Sequence, residues 1–111
     1  MELQNIAKLA FDAMGPAGHH ARVGRGCGRV YVELFTDQYK SIRKGSVVAK
    51  AFEKAGFKMF PRPNHTGVQI YIGYDNSTGI EWNKAEAVAA SLKANGLGEH
   101  GLKCTVSGDG D

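Results

Sequence analysis

Two tyrosines sit in matching apolar frames forty positions apart, Tyr31 in GRVYVELF (28–35) and Tyr71 in VQIYIGYD (68–75). Alternate residues in each frame are aliphatic: Val30, Val32 and Leu34 in the first, Val68, Ile70 and Ile72 in the second. Side chains alternate across a strand, so the aliphatic row belongs on a core and the other row points away from it. That other row contains Tyr31, Glu33 and Phe35, then Gln69, Tyr71 and Gly73, while Tyr74 falls in the aliphatic row. Rings facing away from a core can stack on planar groups of a ligand, join a protein interface, or pair across strands for ~0.2–1 kcal/mol.

Cations cluster around these frames. Arg22, Arg25 and Arg29 lead into the first, Arg62 and His65 lie in the turn before the second, and Lys58 and Lys103 could flank a sheet built from them. Residues 1–62 hold 11 Lys/Arg and 5 Asp/Glu, a balance of +6, whereas residues 63–111 hold 3 and 6, a balance of −3. A basic half with an acidic tail suits attraction to a polyanion or a plain solvated surface. Glu33 opposes the first reading, because it sets a carboxylate between the rings.

Other chemistry is thinner. His19, His20, Cys27, His100 and Cys104 are zinc-ligand types, but no C-x-x-C pair is present, and Cys104 reads as a small buried hydrophobe. GRGCGR (24–29) lacks the G-x-x-x-x-G-K-[ST] pattern and precedes a strand instead of joining strand to helix. Asp37 and Asp75 each follow a strand and read as turn residues before they read as a metal pair. Asp109 and Asp111 lie in a glycine-rich tail, a poor rigid site. TDQYKSIRKG (36–45) has Arg43 but not the glycine-rich phosphate cradle of acylphosphatases. No nucleophile–base pair can be nominated. The expectation is a non-enzyme without metal or cofactor.

The elements that would hold these residues can be read from periodicity. At 111 residues and 42% hydrophobic, the chain suits one domain with its own core. Residues 2–14 carry a helical stripe, Leu3, Ile6, Ala10 and Ala13, with Ala7, Phe11 and Met14 beside it, and Gly15-Pro16 is expected to stop that helix. Residues 15–28 read as a glycine-rich basic loop, 29–107 as the body and 108–111 as a frayed tail. In the body, strands are expected at 29–36, 58–61, 68–74 and 102–106. One helix carries Val47, Val48, Ala51, Phe52 and Ala55; a second, 80–95, buries Trp82, Ala85, Val88, Ala89 and Leu92. Asn83 and Glu86 have the spacing of a capping box, and Gly56-Phe57 and Gly96-Leu97 have the form of left-handed helix ends. Laid over one another without a gap, the halves align Tyr31 with Tyr71, Val48 with Val88, Ala49 with Ala89 and Phe52 with Leu92. One β-α-β unit is used twice.

The order α, then β-α-β-β-α-β, is that of a ferredoxin-like α+β domain, a split βαβ antiparallel sheet with an extra N-terminal helix. The stretch VYVEL (30–34) resembles the strand-one motif of the RNA-recognition motif domain, and TGVQIYIGY (66–74) meets about half of that family's strand-three pattern through Gly67 and Tyr71. The resemblance implies strands one and three at the centre, with Tyr31 and Tyr71 as neighbours. It also implies binding of single-stranded nucleic acid, RNA first, through Tyr31, Tyr71, Phe35 and Gln69, with Arg22, Arg25, Arg29, Lys58, Arg62, His65 and Lys103 meeting the phosphates. Three arrangements compete with it: the first helix lying across the tyrosines, a homodimer through the same face, and tyrosines that only brace the sheet. A protein-binding accessory or inhibitor protein, encoded by a phage or mobile element and acting on a nucleoprotein complex, is the alternative function. No apolar run approaches the ~20 residues of a membrane span, and the first residues are too polar for a signal peptide. With two cysteines and no export signal, a cytoplasmic chain with free thiols is expected.

Overall fold

The two tyrosine frames pair with each other. In the computed structural model, which describes residues 1–18, 27–36, 42, 46–61 and 67–108, β1 (Cys27–Thr36) runs antiparallel to β3 (Val68–Asn76). β2 (Lys58–Pro61) adds to the outer side of β3, and β4 (Leu102–Gly108) to the outer side of β1. The sheet order is β2-β3-β1-β4, with every pair antiparallel. Among the described residues three helices, α1 (Leu3–Ala17), α2 (Val47–Ala55) and α3 (Ile80–Ala94), complete an α+β fold, with a short 3-10 turn at Leu97–His100.

The aliphatic rows meet the helices as alternation requires. Val30, Val32 and Leu34 of β1 and Val68 and Ile70 of β3 share one apolar cluster with Phe52 of α2 and Trp82, Val88 and Leu92 of α3. The buried face of α3 is the one read from its spacing. In α2, Ala49, Ala51, Phe52 and Ala55 are buried, but Val47, the first helical residue, is 83% exposed and stands outside the core cluster. Ser46 starts this helix by accepting the Ala49 N–H at 3.2 Å, and Gly56 ends it in the left-handed region at φ 116°. Gly96 has the matching left-handed conformation after α3.

The first helix differs from expectation in length and settles a question of position. It passes through Gly15 and Pro16 to Ala17. Proline in a last turn removes one donor, yet the Gly18 N–H still reaches the Met14 carbonyl at 3.0 Å and closes the turn. Ile6, Ala7 and Ala10 are fully buried in the common core, where α1 packs on α3 and α2. Phe11 meets Phe57 edge-on, with ring centroids 5.2 Å apart. Hence α1 belongs to the helical layer and does not lie across the tyrosines. β4 likewise runs past the expected body into Gly108, which pairs with Val30, and β1 begins at Cys27, inside the stretch read as loop.

A β-bulge in β3 overturns two facial assignments. Val30 pairs with Gly73, but the next residue, Tyr31, pairs with Tyr71, which leaves Ile72 as the extra residue. Beyond the bulge the alternation is shifted by one. Gly73 therefore faces α3, where a Cβ would lie 2.7 Å from the Glu81 carboxyl group. Tyr74, opposite Arg29, moves to the face shared with Tyr31. Asp75 turns inward, is 1% exposed, and accepts the N–H groups of Thr78, Gly79 and Glu81 at 2.9, 3.1 and 3.0 Å. The α3 N-terminus is thus capped from β3 with Gly79 at the N-cap, and the Asn83–Glu86 capping box does not form. Asp75→Ala strands those donors and is expected to cost about 2 kcal/mol, with Asp75→Asn costing less, as read by urea denaturation; equal stability of Asp75→Ala and wild type would show that the cap contributes nothing.

Candidate functional site

Direct partners across antiparallel strands share a face, so the register lays out the side of the sheet away from the helices. One row runs Lys58, Tyr71, Tyr31, Ser107, and the next Phe60, Gln69, Glu33, Thr105. Phe35 lies beside Lys103 at one end, and Tyr74 beside Arg29 at the other. Seven of the residues singled out from sequence, Arg29, Tyr31, Phe35, Lys58, Gln69, Tyr71 and Lys103, therefore share one face. Arg22, Arg25, Arg62 and His65 lie outside the described residues, as do His19, His20, Asp37 and Arg43.

The two tyrosines are neighbours, with ring centroids 5.7 Å apart and planes tilted by 58°. They are not equivalent. Tyr31 is only 9% exposed, although it is absent from the core cluster, while Tyr71 is half-buried. Phe60 stands at 86° to the Tyr71 ring with centroids 6.1 Å apart, and is 47% exposed. Together with Arg29, Pro61 and Gln69, these rings line a recess of about 310 Å³. Tyr31 forms part of its packed wall, and the ring surface open to a ligand comes from Tyr71 and Phe60. Glu33 lies on the same face but is 7% exposed, so its carboxyl is withdrawn from solvent.

Two aromatics on this face escaped the sequence reading. Phe60 was legible, since Met59 and Phe60 alternate and Met59 is the buried one. Tyr74, 52% exposed, was hidden by the bulge, which no residue type announces.

The larger recess, about 530 Å³, lies on the other side of the sheet, between the end of α1, Ile72 and Lys84. Lys84 is engaged there with Glu81 at 3.3 Å. Among the described residues, no three His, Cys, Asp or Glu side chains are grouped to hold a metal ion, and His100 bonds the Met1 carbonyl through Nε2 at 2.9 Å. No helix among the described residues is long and apolar enough to cross a membrane.

The cysteines differ in environment. Cys27 is exposed, with its Sγ 3.3 Å from the Ser77 hydroxyl. Cys104 is buried, at the wall of a recess that it lines with Phe35, Lys93 and Lys103. Burial pushes its thiol pKa up, and the nearby Lys93 ammonium offsets part of that.

Comparison of the chain with protein-family models, with curated proteins and with solved structures finds no match. The thiolate is the reactive form of cysteine, so both burial and the raised pKa retard Cys104. At pH 8, iodoacetamide is expected to label Cys27 rapidly and Cys104 only on unfolding, read by mass spectrometry with and without guanidinium; equal labelling of both in the folded protein would contradict this placement.

Proposed function

We propose that this protein is a non-enzymatic binding module for single-stranded nucleic acid, RNA in the first place, acting through the helix-free face of the sheet. The observation that carries the reading is the right-angled pair Tyr71 and Phe60, partly exposed on a face that also bears Arg29, Lys58 and Lys103. Bases of a single strand stack on such rings for ~1–3 kcal/mol each, and the phosphates between them are matched by the cations. The surplus of positive charge in residues 1–62 would draw the strand toward the face. Glu33, the residue that argued against a phosphate track, is withdrawn from solvent, which weakens that objection.

The finer architecture belongs to the same reading. We take the body as a ferredoxin-like split βαβ domain, supported by the order β2-β3-β1-β4 and by helices that follow β1 and β3. The likeness to the RNA-recognition motif rests on VYVEL at 30–34 and on Tyr71 beside Tyr31. The proposed use of the face departs from a flat platform of two tyrosines: Tyr31 braces Tyr71, and Phe60 supplies the second open ring.

Fluorescence anisotropy with a labelled mixed-sequence RNA is the test. Binding is expected to weaken steeply from 50 to 200 mM salt, and Tyr71→Ala to lower affinity about tenfold with the fold retained by circular dichroism. Absence of binding at low salt would remove the proposal, and a protein complex that survives nuclease treatment in its place would favour the protein-binding alternative.

A further inference from the structure

We propose that the recess between β2, β3 and β1 holds one unstacked adenine base, with Gln69 reading its edge. The inference rests on the nucleic-acid reading above and adds a base preference to it. Phe60 and Tyr71 meet at 86°, so they form a corner. A base laid on Tyr71 would meet Phe60 as a wall. Tyr31, 9% exposed, backs the Tyr71 ring and leaves no second platform beside it.

Gln69 is two residues from Tyr71 on the same strand and the same face. At ~3.3 Å per residue this is about 7 Å, which sets the amide beside a base stacked on Tyr71 instead of beneath it. The second ring of a purine covers that distance better than a pyrimidine does. Among the described residues no hydrogen bond engages the Gln69 amide, so its donor and its acceptor are both available to a ligand.

The amide matches adenine, which presents a donor at N6 next to an acceptor at N7. The corresponding edge of guanine carries two acceptors, O6 and N7, and leaves the amide oxygen facing an oxygen or a nitrogen lone pair.

The experiment compares four labelled RNA octamers, all-uridine and the same strand with a single central A, C or G, by anisotropy at fixed salt. A bidentate pair discriminates by ~1–3 kcal/mol, so the A-containing strand is expected to bind about fivefold or more tightly than the other three. Gln69→Leu is expected to erase that preference, so that the A-containing strand then binds no more tightly than the other three. Replacing the central base by N6,N6-dimethyladenine removes the donor without touching the protein and is expected to do the same. Equal affinity for the four strands, or a preference for A that survives both changes, would overturn the base pocket while leaving the nucleic-acid reading in place. Failure of all four strands to bind would overturn both.

Discussion

The structure depends on one irregularity in its central strand pair. β1 and β3 pair in regular alternation from Leu34 opposite Val68 to Tyr31 opposite Tyr71, and then β3 takes one residue more than β1. Without that extra residue Asp75 would point away from the helices and Tyr74 toward them. With it, Asp75 reaches three backbone N–H groups at the start of α3, and Tyr74 joins Tyr31 and Tyr71. A buried carboxylate needs such partners, and a helix N-terminus needs acceptors for its free N–H groups. A single shift in register meets both needs and enlarges the aromatic face. Gly73 fits the same scheme, because only the lack of a Cβ lets the Glu81 carboxyl group lie against the bulged strand.

The second constraint is the placement of α1. Its alanines Ala7 and Ala10, with Ile6, are buried in the same core as Ala85 and Ala89 of α3, and small residues on both helices suit close packing. Phe11 extends that contact to Phe57, just past the end of α2. Burial of these side chains keeps α1 in the helical layer, where its removal from water is repaid at ~25 cal/mol per Å² of apolar surface. The far side of the sheet is left with Tyr71, Phe60 and Tyr74 in contact with solvent. A face with this many partly exposed rings and accompanying cations is the feature that the functional reading interprets.

Much of this architecture was legible in the sequence because the relevant periods are long and clean. The buried face of α3, the aliphatic rows of β1 and β3, and the left-handed glycines Gly56 and Gly96 follow from spacing and residue type alone. The expectation of free thiols with Cys104 buried also holds for the described chain. What escaped has a common cause. The bulge and the withdrawal of Glu33 and Tyr31 from solvent depend on contacts between segments distant in sequence, and it is the bulge that turns Asp75 toward the nearby N–H groups it caps. Pro16 misled in the opposite direction, since a local stop signal was outlasted by the last turn of a helix anchored in tertiary packing. Within the candidate site the seven described residues do converge on one face, but the division of labour between Tyr31 and Tyr71 required the structure.

Three helices cover one side of the sheet, and among the described residues Phe60, Tyr71 and Tyr74 meet solvent on the other. Solvent paramagnetic relaxation measured by NMR on the free protein addresses this arrangement most directly. Ring protons of Phe60, Tyr71 and Tyr74 are expected to broaden with a soluble gadolinium chelate, while the methyl groups of Ile6 and Ile70 stay sharp and Phe11 shows NOEs to Phe57. Sharp Phe60 and Tyr74 rings with NOEs to α1 or α3 would contradict the account at its root.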